Sequence, residues 1–189
     1  ITLIPKNTLE KWLEKYKEIP VPDLVVIPRG DFRMDEEENR YITQEGLRAL
    51  YVVKEHLRPK EDIVVHSAYR GAEEQYNLWK NRLEDIIQRH PNLSLEECVK
   101  KAELYTAPPY HPGFPPHMRG DAVDVRLIID NHPVIMATDA KDYDQKRFDY
   151  FSEINPSIHH NRERLRELMR AGGFIPYDIE YWHFGLTPT

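Results

Sequence analysis

The chain has 189 residues, of which 40% are hydrophobic and 31% charged, and its formal net charge is −6. A chain of this length is expected to form a single domain (residues 1–189) that buries its own core, which excludes a disordered protein. The acidic balance argues against a nucleic-acid partner, and the longest apolar run, Leu24–Ile27, is too short to span a membrane.

The first half of the chain is predicted to be mainly helical. Apolar residues recur at helical spacing, and Ser94 with Glu97 forms the pattern of a capping box. In chain order, the predicted elements are a helix over residues 7–18, a strand at Leu24–Ile27, an irregular acidic stretch at Gly30–Arg40, a helix from Thr43 to Leu57, a strand at Ile63–Val65, a helix at Ala72–Arg89 and a helix from Ser94 to Tyr105.

The second half is predicted to contain more strands. A loop over Ala107–Pro116 contains five prolines and is expected to be rigid. It is followed by a strand at Ala122–Ile129, a polar stretch at Asp139–Asn155, a helix at Asn161–Ala171 closed by two glycines, and an aromatic strand at Tyr181–Leu186. Helices clustered before the later strands favour an α+β fold with a mainly antiparallel sheet and helices packed around it.

The only cysteine, Cys98, limits the covalent and metal chemistry of the chain. A single thiol excludes an internal disulfide and a multi-thiolate zinc site. Because Cys98 lies in a predicted amphipathic helix, we expect it to be buried and unreactive.

Three separated residues have the side chains that a catalytic zinc ion prefers. Such an ion takes three protein ligands from histidine and carboxylate groups and keeps a fourth position open. His117, Asp124 and His183 can supply these ligands. Asp124 lies inside a predicted strand on the same side as Ala122, and burying a carboxylate there is unfavourable unless it is paired or bound to a metal.

Each of these residues also has an ordinary structural interpretation. A single histidine is more often structural or exposed than a ligand, and Asp124 could form an ion pair with Arg119 or Arg126. Arg70 could similarly pair with an acidic residue of the following helix. The spacing alone therefore leaves a metal site and a purely structural arrangement open.

Glu180 is the candidate general base, but its spacing from His183 imposes a condition. Residues three apart in a regular strand point to opposite faces of the sheet. If both residues serve one site, Glu180 must lie on a turn or bulge before the strand. A carboxylate placed there can take a proton from the attacking water and pass it to the leaving amine.

The combined pattern resembles a known family. His117-x-x-Gly120-x-Ala122-x-Asp124, followed later by Glu180-x-x-His183, resembles the zinc peptidases that cleave D-alanyl-D-alanine. This group contains the VanX-type dipeptidases and the related D,D-carboxypeptidases. The stretches that also agree with the family are Tyr69-Arg70 after a strand, Ala107-Pro108-Pro109 before the first histidine, and Asn161–Met169 with the preceding His159-His160. The resemblance runs from Ile63 to the C-terminus, and the core motifs lie within residues 63–186.

The resemblance implies a role for each of these positions. It implies one zinc ion per chain, a general base, and a cation that stabilises the developing oxyanion. The residues that match are the zinc ligands His117, Asp124 and His183, the base Glu180 and the oxyanion-stabilising Arg70, with Tyr69 as a substrate contact. Asp139 and Asp142 are further candidate substrate contacts, although neither aligns with the family position.

Two positions depart from the family pattern. Pro115 stands where the family usually has a serine two residues before the first zinc histidine. Lys141 stands where the dipeptidases have an acidic residue suited to the ammonium group of the substrate. Asp139 or Asp142 would have to take over that contact in this chain.

Three functions from two classes are compatible with these residues. The first is a zinc dipeptidase with a small site for D-Ala-D-Ala, and the second is a zinc D,D- or L,D-carboxypeptidase or endopeptidase that acts on peptidoglycan stem peptides in an open groove. The third is a non-catalytic, metal-stabilised binding module, which the presence of Glu180 disfavours. No targeting segment is recognisable, and a cleaved one would leave no trace, so both a cytoplasmic and an exported protein fit the sequence. The oligomeric state stays open.

Overall fold

The computed structural model describes Lys11, Glu14 and residues 20–35, 40–108, 114–139 and 142–188. Most of the helix predicted over residues 7–18, the centre of the proline-rich loop and Lys141 lie outside the described residues. Within the described ranges, no helix is long and apolar enough to cross a bilayer.

The described ranges contain five α-helices, a short 3-10 helix at Asp144–Lys146 and eight strands. The helices are α1 (Gln44–Glu55), α2 (Ala72–Arg89), α3 (Leu95–Glu103), α4 (Pro116–Arg119) and α5 (Pro156–Ala171). The strands are β1 (Val25–Val26), β2 (Arg33–Met34), β3 (Tyr41–Ile42), β4 (Glu61–Ser67), β5 (Ala122–Ile129), β6 (His132–Pro133), β7 (Ile175–Tyr177) and β8 (Glu180–Gly185). These elements form two compact units, one with residues 70–119 and one with residues 22–69 and 120–189.

The second unit contains the sheets. The main sheet has the strand order β2-β4-β5-β8-β7, and β6 also pairs with β5. Every pair in it is antiparallel except β2 with β4. Strands β1 and β3 form a separate antiparallel pair. The predicted α+β fold with a mainly antiparallel sheet is confirmed.

The core of this unit lies between the sheet and two helices. Helix α5 packs against β5, β7 and β8, and α1 packs against α5. Alternate residues of β5 point into this core, so their neighbours point to the opposite face of the sheet. Burial of each large apolar side chain stabilises the fold by about 1.5–3 kcal/mol. The core includes Leu50, Val53, Ile63, Val65, Val123, Val125, Leu127, Leu165, Leu168, Met169 and Phe184.

The first unit is helical where it is described. Helices α2 and α3 pack through Tyr76, Trp79, Leu83 and Ile86 of the predicted apolar stripe. The capping box at Ser94 is present, with the Glu97 amide donating to Ser94 Oγ at 3.3 Å and the Ser94 amide donating to Glu97 Oε2 at 2.8 Å. Cys98 is buried in the same cluster, as predicted.

Two sequence-based boundaries were wrong. Helix α5 begins at Pro156 rather than Asn161, because Asn155 Oδ1 accepts the Ile158 amide at 3.3 Å and proline is favoured in the first turn. The stretch Gly30–Arg40, predicted to be irregular, contains β2, which is held by parallel pairing with β4. A two-residue strand has no periodicity that a sequence pattern could detect.

A buried ion pair joins α5 to β4. Arg164 donates to both carboxylate oxygens of Glu61, at 3.0 and 2.6 Å, and it also contacts Glu167 and the His56 carbonyl. The Arg164 and Glu61 side chains are only 9% and 6% exposed. The hydrogen bonds from Arg164 hold the pKa of the Glu61 carboxyl below its ordinary value.

We expect Glu61→Gln to lower the free energy of unfolding by about 1–3 kcal/mol at neutral pH. This loss is smaller than the loss for a fully broken buried ion pair, because Glu167 still contacts Arg164. The folded pKa of Glu61 is lowered, so this stabilisation is present above the ordinary value of 4.5 and is lost as the pH falls through the folded value. Urea unfolding from pH 7 to pH 3.5 should show the difference between wild type and variant shrinking with acidification. A difference that stays constant would contradict this role, and Glu167→Gln at an exposed position serves as the control with a smaller effect.

Candidate metal centre

The sheet places Asp124 and His183 directly opposite one another. Asp124 on β5 is in register with His183 on β8. Opposed residues of antiparallel strands have their side chains in contact on one face. Asp124 Oδ1 lies 3.0 Å from His183 Nδ1, and both side chains are buried. The pairing of the two strands therefore brings together two of the three predicted ligands.

Gly120 sets the entry of the chain into β5. Its φ of +68° lies in the left-handed region, and a Cβ there would lie 2.6 Å from Leu24 Cδ2. Its carbonyl accepts the Thr43 amide at 2.8 Å. A side chain at this position would be strained by the left-handed backbone conformation.

His117 lies on the short helix α4 and is 3% exposed. Its carbonyl accepts the Arg70 amide at 3.1 Å. His117 belongs to the first unit, whereas Asp124 and His183 belong to the second. The three residues together stay the predicted ligand set.

The chemistry of this group fits a zinc ion. Two imidazoles and a carboxylate are the donor set of a catalytic zinc site, with one position left for water or substrate. The 3.0 Å between Asp124 and His183 is near the edge of about 3.3 Å of a tetrahedron around zinc with bonds of about 2.0–2.1 Å.

Glu180 is half-buried and is the first residue of β8. It pairs with Tyr177 of β7, and the register shifts between Pro176 and Tyr177. Glu180 thus lies within the strand rather than on the turn or bulge before it that the sequence required. Because the pairing of β7 with β8 is irregular here, strand alternation counted from His183 does not fix the direction of the Glu180 side chain. Burial, and then the charge of Glu180, raises the pKa of Tyr177, whose ring lies 5.9 Å from the His183 ring.

Tyr69 and Arg70 follow β4. The Tyr69 amide donates to the Tyr41 carbonyl at 2.8 Å. The Arg70 guanidinium lies 3.4 Å from Gln75 Oε1, and the buried Gln75 donates in turn to the Ala107 carbonyl at 2.7 Å. These contacts define the start of α2, and the functional roles of Tyr69 and Arg70 stay predictions.

A cavity of about 400 Å³ opens beside Asp124. Asp139 lines it, whereas Asp142 does not. The two carboxylate oxygens of Asp142 accept from the Asp144 amide at 2.9 Å and from Gln145 Nε2 at 3.3 Å. Of the two acidic candidates, Asp139 is thus the one in the cavity. The remaining lining residues are His66, Val125, Arg126, Ala137, Gln145, Lys146, Tyr181 and Trp182.

Gln145 is a residue of this cavity that sequence analysis missed. Its Oε1 accepts three hydrogen bonds of 3.0 Å, from the Thr138 amide, the Thr138 hydroxyl and the Asp139 amide. These bonds fix the backbone at Asp139. The only sequence signal was the polar character of residues 139–155, which does not single out one glutamine.

Comparison with known proteins agrees with this geometry. Residues 32–188 match the Peptidase M15 family, described as D-ala-D-ala dipeptidase. The D-alanyl-D-alanine dipeptidase of Enterococcus faecium is 28% identical over 99 residues, which are 51% of this chain and 46% of that relative. The alignment thus spans less than half the length of the relative.

Two solved structures share the fold. VanYB in complex with D-Alanine-D-Alanine has a TM-score of 0.54 and 18% identity, over 87% of this chain and 76% of that chain. A variant of the vancomycin resistance D,D-pentapeptidase VanY, in complex with Zn(II), has a TM-score of 0.51 and 19% identity, over 91% of this chain and 89% of that chain.

The family model covers most of the chain, so the chain belongs to the Peptidase M15 family.

If His117, Asp124 and His183 are the ligands, replacing any one of them by alanine should weaken zinc binding by at least about 100-fold, because a three-ligand site loses a direct bond. Competition with a chromophoric chelator measures the affinity, and circular dichroism verifies that each variant folds. His132→Ala, at an exposed histidine on β6, is the control and should bind zinc as the wild type does. Full zinc occupancy in His117→Ala would remove that residue from the ligand set.

Proposed function

We propose that the protein is a zinc-dependent dipeptidase that hydrolyses D-alanyl-D-alanine, with one zinc ion held by His117, Asp124 and His183. The observation that carries this proposal is the Asp139 carboxylate, which lines the same cavity as Asp124. A free dipeptide differs from a longer peptide with the same end by its ammonium group, and a carboxylate binds that group with a charge-assisted hydrogen bond. The family description and the Enterococcus faecium relative support the same substrate.

The proposed chemistry divides between the metal and two side chains. A zinc ion in such a site supplies a Lewis acid that makes water nucleophilic near neutral pH. Glu180 takes the proton from the attacking water and delivers it to the nitrogen of the leaving D-alanine. Arg70 stabilises the negative charge that develops on the carbonyl oxygen.

Substrate orientation is proposed to use both ends of the dipeptide. Asp139 takes the ammonium group, and Tyr69 contributes a further contact. Lys146 lines the same cavity, with its Nζ 5.5 Å from the centroid of the Trp182 ring, and it offers a cation for the carboxylate of the substrate. Asp142 is proposed to stabilise its own loop rather than to bind the substrate, because its carboxylate oxygens accept from the Asp144 amide and from the Gln145 side chain.

The test compares free D-Ala-D-Ala with an N-acetylated peptide ending in D-Ala-D-Ala, using zinc-loaded protein and an assay for released alanine. We expect cleavage of the free dipeptide with strong preference over the acetylated peptide. Asp139→Asn should raise KM for the free dipeptide about 10–100-fold, because it removes a charge-assisted hydrogen bond. Asp149→Asn, at an exposed position in the same part of the chain, is the matched control.

Two other outcomes of this assay would each overturn the proposal. Preferential cleavage of the acetylated peptide would identify a D,D-carboxypeptidase with an open groove, and KM would then be insensitive to Asp139→Asn. Absence of cleavage of either peptide by the zinc-loaded protein would reject D-alanyl-D-alanine as the substrate.

Glu180→Gln and Arg70→Lys test the chemical step. Each should lower kcat by at least about 100-fold while zinc affinity stays unchanged, because neither residue is proposed as a ligand. Glu163→Gln, at an exposed glutamate of α5, is the control. Unchanged kcat in Glu180→Gln would exclude it as the base, and loss of zinc in that variant would make it a ligand instead.

A further inference from the structure

Arg162 is a buried cation whose hydrogen bonds all go to one neighbouring segment. It lies on α5 with 0% exposure. Its Nε donates to the Met136 carbonyl at 2.8 Å, Nη2 to the Gln145 carbonyl at 2.6 Å, and Nη1 to the Arg147 carbonyl at 2.6 Å, with a longer contact of 3.4 Å to Phe148. Nη2 also contacts the Met136 carbonyl. All of these acceptors are main-chain carbonyls within residues 136–148.

Aromatic rings complete the surroundings of the guanidinium. Its centre lies 4.8 Å from the Phe151 ring centroid and 4.1 Å from that of Tyr181. Within the described ranges, no carboxylate forms an ion pair with it, so carbonyl dipoles and the faces of the rings stabilise the charge. Burial lowers the pKa of Arg162 to about 10, which still leaves it protonated at neutral pH.

The segment that Arg162 holds is the one that lines the cavity. Asp139, Gln145 and Lys146 lie on it, and Tyr181, which stacks on the guanidinium, lines the cavity from β8. Arg162 binds the Gln145 carbonyl, and the Gln145 side chain binds the Asp139 amide. Two hydrogen bonds and the glutamine between them therefore connect the buried guanidinium to the backbone of Asp139.

We propose that Arg162 is a positioning residue that fixes the described parts of this segment, residues 136–139 and 142–148, so that Asp139 faces the substrate ammonium. The assignment to the ammonium rests on the proposed dipeptidase function. Only arginine presents five N–H donors in a fixed plane, which matches several carbonyls at once, whereas a lysine ammonium has three donors around one atom. Arg162→Lys therefore keeps the charge and loses the geometry.

The first experiment measures amide hydrogen exchange by NMR in the zinc-loaded protein. In Arg162→Lys, the Thr138 and Asp139 amides should exchange at least about tenfold faster, while amides of β4 and β5 keep their wild-type rates. The matched control is Arg164→Lys on the same helix, whose partners Glu61 and Glu167 lie outside the segment. In this control, the exchange rates of the Thr138 and Asp139 amides, taken relative to the rates of the β4 and β5 amides, should equal those of the wild type.

The second experiment measures kinetics on D-Ala-D-Ala. Arg162→Lys should raise KM about tenfold and change kcat by less than about threefold, because the substrate anchor moves while the metal and base stay in place. Arg162→Met, which has similar length and no charge, should give the same pattern in both experiments, and it replaces Arg162→Lys if that variant does not fold.

Unchanged exchange rates of the Thr138 and Asp139 amides in Arg162→Lys would overturn the positioning role. An equal acceleration of the β4 and β5 amides would also overturn it, because it would indicate general destabilisation. A fall in kcat with unchanged KM also overturns it. If wild-type protein does not cleave D-Ala-D-Ala, the proposed function fails, whereas the exchange experiment still decides whether Arg162 holds the segment.

Discussion

The antiparallel pairing of β5 with β8 is the constraint on which the site depends, because it sets Asp124 opposite His183. The side-chain direction of a strand alternates with every residue, so a shift of one residue would turn Asp124 into the apolar core and Val123 or Val125 out of it. The buried valines on one face of β5 thus fix the direction of the carboxylate on the other. Core packing and the metal chemistry are determined by the same register.

Helix α5 supports the site through two arginines with different partners. Arg164 is bound to the carboxylate of Glu61 and ties the helix to β4, which neighbours β5 in the sheet. Arg162 is bound to carbonyls of residues 136–148 and ties the helix to the segment beside the cavity. The first contact stabilises strand arrangement, and the second sets the conformation of a stretch that has little regular structure of its own. One helix therefore contacts both the sheet and the segment that lines the cavity.

The sequence was informative where a local pattern carries the physical signal. The strand at Ala122–Ile129, the apolar stripe of α2 and the capping box at Ser94 were all predicted and are present. The grouping of His117, Asp124 and His183 followed from their chemistry and from a family pattern. Gln145 and Arg162 were not found, because their partners are main-chain groups of an irregular segment whose path no periodicity encodes. The choice of Asp139 over Asp142 likewise required the structure.

These observations separate the sheet, which carries two of the three predicted metal ligands, from the segment proposed to select the substrate. The fold of the sheet is shared with VanY structures of 18–19% identity. The carboxylate proposed to bind the ammonium group belongs instead to residues 136–148, whose conformation depends on a few buried polar side chains. Arg162 is one of several contacts that hold this segment, since Met136 also packs in the core beside the sheet. On the proposed function, substitutions at Asp139, Gln145 or Arg162 change substrate recognition, whereas the strand register that sets Asp124 opposite His183 stays the same.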